Sequence, residues 1–376
     1  MSTDTGTHTG SHGPAGTRLY AALADRLRRA IQAGVYRPGQ LLGSEHSLAK
    51  QESISRMTVR RASELLVKEG LIERRPGKGL YVRDERATTR AIQVVAGNLQ
   101  WEPSLQASRG IQSIAAGKGV QTQLYDAHGD VAMDLTMLRQ LPESDFAGAV
   151  IISLHSKTFN EAIFDLKRQR FPFVLVDQKF HDIEIPAVTA DNHDGGLQVG
   201  QHLLAHGHER IGFIGDLVAV TVRDRLMGLR DAVADAGKPF DRSLVIDLCE
   251  DRDQDRLGDW SGEVEAATRQ LMQRDAPPTA IFFSCDAVAR AGCRALQAMG
   301  FRVPADVSIV GFDDDPLCQW VTPGLTTVRQ PFFGMGETAI RMLCELMVNP
   351  DARIAPQVLP VTLVARDSVA QALRSS

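Results

Sequence analysis

The stretch SRMTVRRASELLVKEGLIERRPGKGLYV, Ser55 to Val82, decides how the amino-terminal part of the chain folds. Val59, Ala62 and Leu66 recur at the spacing of one helix face; Ser55 precedes them as an N-cap, and Gly70 closes the run. Leu71 to Arg75 and Leu80 to Val82 read as two strands around Pro76-Gly77-Lys78-Gly79, a hairpin tip that needs positive φ. Arg56 and Arg60 stand one turn apart on the face away from the apolar residues, with Met57, Thr58 and Arg61 beside them.

Moving upstream, Leu19, Leu23, Leu27 and Ile31 repeat at helical spacing until Gly34. After the turn Arg37-Pro38-Gly39, Ser44 caps a short helix through Lys50, with Glu45 and His46 in its first turn. The turn Gln51 to Ile54 joins this helix to the one after Ser55, which makes a helix-turn-helix, and the hairpin adds a wing. The pattern predicts a winged helix-turn-helix of α+β class over residues 17–83. Residues 1–16 lack an apolar anchor and read as a disordered tail, and 84–90 (DERATTR) reads as a linker.

Charge divides at the same place. The net −4 of the chain conceals 16 Lys/Arg against 8 Asp/Glu between Thr17 and Arg90, and 26 against 37 from Ala91 onward. A basic head on an acidic body suits a head that meets a polyanion. A major groove admits a helix, and an exposed Arg grips guanine bidentately or holds a phosphate. Lys78, with Arg74 and Arg75 beside it, suits phosphate or minor-groove contact at the wing.

The body alternates short apolar runs with helical patterns. Ile92–Ala96, Val120–Tyr125, Ala149–Leu154, Phe173–Val176, Ile211–Ile214, Leu244–Leu248, Ala280–Phe283 and Val307–Phe312 read as buried strands. Helices between them include Leu105–Gly117, Phe159–Arg170, Gly196–His206 and Arg225–Ala236. That alternation predicts parallel sheets covered by helices, and a body of this length exceeds one comfortable core. Two α/β lobes with a cleft are expected, with ligand at the carboxyl ends of the strands.

Other chemistry is weakly signalled. No G-x-S-x-G, P-loop or strand-borne G-x-G-x-x-G occurs, so no catalytic residues are assigned and an enzyme is not expected. No metal or cofactor is expected either: His202, His206 and His208 lack the Glu of a metalloprotease pattern. The five cysteines form no C-x-x-C pair and are expected as reduced thiols. With no signal-peptide core and no long apolar run, a cytoplasmic protein without membrane contact is expected.

The head resembles the GntR family of winged-helix regulators over Leu19 to Val82, through LYAALADRLRRAIQAGVYRPGQLLGSEHSLAKQ and SRMTVRRASELLVKEGLIERRPGKGLYV. The resemblance implies that Arg56, Thr58 and Arg60 lie in the groove and that Gly77-Lys78 contacts DNA at the wing. Ser44, Glu45, His46, Ser55, Met57, Arg61 and Gly79 complete the expected DNA-binding surface. Gly43 and His46 stand where that family usually has Pro and Arg, and His46 is the weaker phosphate donor at neutral pH.

The body resembles the effector domain of the LacI/GalR family, of periplasmic sugar-binding-protein fold, over Ala91 to Ser376. The carrying motifs are PFVLVDQ at Pro172, VTADNHDGGLQVGQHLLAHGHERIGFIGD at Val188, RDRLMGLRDA at Arg223, GDWSG at Gly258, FFSCDAVARAGCRALQAMGFRVPADVSIVGFDD at Phe282 and PGLTTVRQPFFGMGETAI at Pro323. The two parts together resemble the arabinose-repressor subclass. The resemblance implies a homodimeric repressor of double-stranded operator DNA that responds to a small carbohydrate, with contacts at Asp177, Arg223, Trp260, Asp313 and Phe332. Asp286 follows Cys285 where the family usually has Asn-Asp, and reads as a helix cap or a ligand; Trp260 reads as a stacking ring or ordinary core. Asn98 to Trp101 follow the first strand and line the other wall. Lobe one is expected over about 91–189 and 327–339, lobe two over about 190–326 and 340–376. The rival readings are a GntR-linked enzyme holding pyridoxal phosphate on a lysine and a stand-alone sugar-binding protein.

Overall fold

The computed structural model describes residues 14–75, 77–83, 91–152, 157–180, 183–249 and 260–372. The chain divides into two compact units between Thr89 and Arg90. The expected linker 84–90 lies outside the described residues.

The first unit is the winged helix-turn-helix: α1 (Pro14–Gln32), β1 (Leu41–Gly43), α2 (Glu45–Gln51), α3 (Arg56–Lys68), β2 (Ile72–Arg75) and β3 (Gly79–Val82). The tail is shorter than expected. Residues 14–16 belong to α1, since Pro at a first helical position loses no hydrogen bond and has φ already set; residues 1–13 are outside the described residues. The wing also has a third strand. β1 pairs antiparallel with β3 in the order β1-β3-β2, and three residues are too short a run to show alternation in sequence. Leu23, Leu27, Leu48, Val59, Leu66, Ile72, Leu80 and Val82 close the core of this unit.

The second unit holds two parallel sheets. In the first lobe β4 (Ala91–Ala96), β5 (Gln121–Asp126), β6 (Ala149–Ile152), β7 (Phe173–Val176) and β8 (Ala187–Ala190) are joined through α4 (Glu102–Ala115), α5 (Val131–Gln140) and α6 (Lys157–Arg168). In the second, α7 (Asn192–Ala205), β9 (Ile211–Gly215), α8 (Val220–Asp235), β10 (Val245–Asp247), α9 (Ser261–Met272), β11 (Ala280–Phe283), α10 (Asp286–Ala298) and β12 (Ser308–Val310) follow in order. The chain ends through β13 (Thr327–Arg329), α11 (Phe332–Val348), β14 (Gln357–Leu359) and β15 (Thr362–Val364). Sheet orders are β14-β8-β7-β6-β4-β5 and β10-β9-β11-β12, with β13-β15 as an antiparallel pair.

The expected lobe boundary at 339/340 is corrected by this topology. α11 continues unbroken to Val348 and packs on β6, β7 and β8, while β14 extends the first sheet by pairing with β8 from Gln357↔Val188 to Leu359↔Ala190. The chain therefore stays with lobe one through Leu359. The same alternation that marked the strands gave helix starts too late: α4, α7 and α8 begin at Glu102, Asn192 and Val220, and the first turns of α4 and α7 are polar and carry the strand-to-helix loop.

Each lobe is pinned by a close helix pair. A Cβ on Gly336 of α11 would stand 2.0 Å from the Ala107 carbonyl of α4, and one on Gly228 of α8 2.0 Å from the His193 carbonyl of α7. Only glycine lets these backbones touch, which fixes the helix N-termini that face the cleft.

Candidate DNA interface and effector cleft

In the head, the Ser44 hydroxyl accepts from Ser47 N at 3.0 Å, and Ser47 Oγ accepts from Ser44 N at 2.8 Å, a closed capping box. Ser55 caps α3 by accepting from Thr58 N at 3.1 Å, and the Ser55 and Thr58 hydroxyls are 2.8 Å apart. These polar side chains thus set the two helix starts. Arg56, Met57, Arg60 and Arg61 stand exposed on one face of α3, while Val59, Ala62, Ser63 and Leu66 are buried on the other. His46 and Lys78 are exposed too, and the tip turns on Gly77 at φ 72° and Gly79 at φ 117°. A Cβ on Gly79 would meet the Gly43 carbonyl at 2.9 Å, so both glycines belong to the way β1 meets the wing.

Glu45 behaves differently from its neighbours. Its carboxylate lies 2.8 Å from Arg74 Nη2 and 3.8 Å from Arg56 Nε. Its carboxylate thus pairs with two arginines of the expected DNA-binding surface.

In the body, Asp313 follows β12 at φ 127°, and its Oδ1 accepts from Gln330 Nε2 at 2.7 Å. Burial pushes the Asp313 carboxyl well above the usual range, Arg225 draws it back, and Asp286 and Asp177 push it further. Asp177 comes from lobe one, at φ 57° after β7, so the charge of a lobe-one carboxylate reaches Asp313 of lobe two. Lys179 Nζ and Asp224 Oδ2, 2.5 Å apart, tie the loop after β7 to α8. A pocket of about 220 Å³ opens where the start of α4 faces Asp313 to Pro316 and Arg329 to Phe333.

Of the expected effector residues, Asp313 and Phe332 line this pocket, and Phe332 is buried at the start of α11. Trp101 is the half-exposed N-cap residue of α4, and Asn98 Oδ1 accepts from Gln100 N at 2.8 Å in the loop before it. Arg223 donates through Nη1 to the carbonyls of Leu217 and Val218 at 2.7 and 3.0 Å. Trp260 precedes α9 and packs half-buried on the second lobe's core. Asp286 is not the cap of α10. Cys285 holds the N-cap position; Asp286 is 1% exposed, with Oδ1 accepting from Thr327 Oγ1 at 2.6 Å and Oδ2 from Asp315 N at 2.8 Å. Both oxygens are spent on holding the segment that carries Asp313 in place.

Comparison with known proteins gives this geometry its setting. The model of bacterial regulatory proteins of the gntR family matches residues 19–82, and that of the periplasmic binding protein-like domain matches residues 201–369. The arabinose metabolism transcriptional repressor of Geobacillus stearothermophilus is 27% identical, over 93% of this chain and 97% of its own. The HTH-type transcriptional regulator DegA of Bacillus subtilis (strain 168) is 31% identical, over 74% of this chain and 81% of its own. A solved LacI family transcriptional regulator from Enterococcus faecium, with bound ribose, aligns at 27% identity with a TM-score of 0.62, covering 75% of this chain and 99% of that one. The chain is a LacI-type transcriptional regulator with a gntR-family head. Its fold, a helix-turn-helix head followed by a periplasmic-binding-protein-like body, is the expected one, and the relatives are regulators rather than enzymes.

Several residues of the regulator escaped the sequence reading. Glu102, Gln106 and Gln330 line the pocket, and Glu102 and Gln330 each directly follow a residue already singled out or quoted in a motif. Arg225 is 3% exposed, donates from Nε to Asn192 Oδ1 at 2.8 Å and from Nη1 to the Ser284 carbonyl, and lies 3.9 Å over the Phe312 ring. Nothing in RDRLMG separates its role from that of Arg223.

Among the described residues, Asp216, Asp247 and Cys249 are the group whose ligand atoms lie within 4.8 Å of one another. Asp247 Oδ1 already accepts from Leu217 N and Cys249 N at 3.1 and 3.0 Å, and Asp216 Oδ1 from Val218 N at 2.8 Å, so the regulator uses them to shape two strand ends. The histidines are likewise occupied: His208 bridges Thr279 Oγ1 and the Ala370 carbonyl at 2.9 and 3.0 Å, and burial lowers its pKa and that of His202. No described helix of the regulator is long and apolar enough to cross a membrane.

Proposed function

We propose that the regulator is a homodimeric repressor without catalytic activity, whose hold on operator DNA is released by a carbohydrate in the cleft of its body. The observation that carries this reading is that Asp313 and Phe332 line one pocket of the body, while the charge of Asp177 from the other lobe reaches Asp313. Carboxylates accept from paired sugar hydroxyls, and an aromatic face covers the apolar side of a sugar ring. The name of the Geobacillus relative and the ribose bound to the Enterococcus protein support the same effector class.

In this reading two heads grip a pseudo-palindromic site through Arg56, Arg60 and Lys78, and sugar draws the lobes together around Asp177, Asp313, Arg223 and the aromatic walls. Moving the population from mostly DNA-competent to mostly incompetent takes about 5.5 kcal/mol of preference for one state. Lobe closure is suited to this because ligand contacts on opposite lobes form together in only one of them. Titrating pentoses, hexoses and disaccharides into an operator complex tests the reading. Release by one of them is expected; an operator complex indifferent to the whole panel rejects it.

A further inference from the structure

The polar lining of the cleft pocket is unequal in sign. Glu102 and Asp313 line it and enter no ion pair among the described residues, Glu102 Oε1 accepting only from the amide of Gln106 at 2.5 Å. The neighbouring cations are already engaged. Arg329 donates from Nε to Asp314 Oδ2 at 2.7 Å, and Arg225 is held by Asn192, the Ser284 carbonyl and the Phe312 ring.

Gln330 supplies the second observation. It is 5% exposed and spends its amide nitrogen on Asp313 Oδ1 at 2.7 Å, while its Oε1, equally buried, meets no donor among the described residues. An acceptor left in that state costs free energy until a donor arrives. Gln330 is one of the residues that line the pocket.

We propose that the effector is an uncharged, hydroxyl-rich sugar that donates a hydroxyl to Gln330 Oε1, and that Glu102 excludes phosphorylated and acidic sugars. This rests on the carbohydrate reading above and narrows it. The carboxylates accept from the hydroxyls next to the one bound by Gln330. An added phosphate or carboxylate meets the like charge of Glu102, whose side-chain partner is the neutral amide of Gln106. The raised pKa of Asp313 has a related origin: burial, Asp286 and Asp177 oppose negative charge there, and Arg225 offsets only part of that. Juxtaposed like charges cost several kcal/mol, which corresponds to discrimination of about 100-fold or more.

The test is isothermal titration of the full chain with ribose, arabinose, xylose, glucose and cellobiose, set against the terminal phosphate esters of ribose and glucose and against glucuronate. A neutral sugar is expected to bind, with its charged counterpart at least about 100-fold weaker. Gln330→Leu is expected to weaken the neutral sugar about tenfold, and Glu102→Gln to narrow the neutral-to-charged ratio about tenfold, from the loss of one hydrogen bond and one like charge. Thermal unfolding without ligand, run beside each titration, shows that the variants are folded. A charged sugar that binds as tightly as its neutral parent, or Gln330→Leu with unchanged affinity in a folded protein, overturns the proposal while leaving the carbohydrate reading intact. Silence of every carbohydrate, charged or not, overturns both.

Discussion

Glu45 Oε1 lies 2.8 Å from Arg74 Nη2, tying the first turn of the helix-turn-helix to the wing, and its other oxygen faces Arg56 on the recognition helix at 3.8 Å. One carboxylate thereby orients two cations on the surface expected to meet DNA. Exposed pairs of this kind contribute about 1 kcal/mol or less to stability, so the consequence belongs to recognition. Glu45→Gln is expected to leave the melting temperature nearly unchanged while raising affinity for random duplex, because the freed arginines reach any phosphate. The ratio of specific to random affinity should fall about tenfold, and the salt dependence for random DNA should steepen by about one unit of log K against log salt. Fluorescence anisotropy on both duplexes across a salt series checks this.

Arg60 and Lys78 should fail in different ways. Arg60 stands on the exposed face of α3 with Nε donating to Glu64 Oε1 at 3.1 Å, whereas Lys78 sits at the hairpin tip. Arg60→Ala is expected to cost about 1–3 kcal/mol on the operator and to relax preference at one base pair, while Lys78→Ala weakens all sequences alike and lowers the salt slope by about one. Binding selection on a randomised operator distinguishes base reading from phosphate reading.

Local grammar explains what was legible in the sequence. Ser44 and Ser55 are caps because Ser at those positions accepts from the second or third amide of the helix, and the buried face Val59-Ala62-Leu66 needs no tertiary information. The parallel sheets were legible for a similar reason, since Ala149–Ile152 and Phe173–Val176 are buried on both faces and contain no polar residue. The lobe boundary was not. β14 reads Gln-Val-Leu, an edge strand with two exposed residues, and only its pairing with β8 shows where it belongs. The cleft was legible as motifs but not as roles: Asp286 and Asp313 follow strands in the same way, yet Asp286 has both oxygens satisfied by distant residues while Asp313 faces the pocket.

Arg223 and Arg225 offer a direct comparison. Arg225→Leu strips Asn192 and the Ser284 carbonyl of their donor and leaves Asp313 without the cation that offsets its burial. Removing one member of such a buried set costs about 3–5 kcal/mol. In a domain of this size each kcal/mol lowers the melting temperature by about 2–4 °C, so a fall of about 10 °C is expected. Arg223→Ala loses two hydrogen bonds to carbonyls at a half-exposed site, about 1–2 kcal/mol, and its main effect should be weaker effector response. Thermal unfolding and effector titration on the same preparations separate the two arginines.

Asp134 is the clearest source of pH dependence. It lies in the first turn of α5, is 0% exposed, and neither carboxyl oxygen has a hydrogen-bond partner among the described residues. Burial raises its pKa to about 7 from 3.8, with Asp126 and Asp130 adding to the rise. The folded state therefore binds this proton more tightly than the unfolded chain does. The resulting destabilisation is present in full above about pH 7 and fades as pH falls toward 4. Asp134→Asn removes the charge while keeping the shape, and is expected to stabilise the protein at about pH 8 by up to roughly 4 kcal/mol, since each tenfold difference in proton affinity between the folded and unfolded chain corresponds to about 1.4 kcal/mol. By about pH 5 the gain should have fallen by more than half, because the wild-type carboxyl is then mostly protonated in the folded protein but not in the unfolded chain. Thermal unfolding of the two proteins at a series of pH values reads the difference directly. A gain that is constant with pH would mean that the carboxyl is neutral, or solvated, throughout.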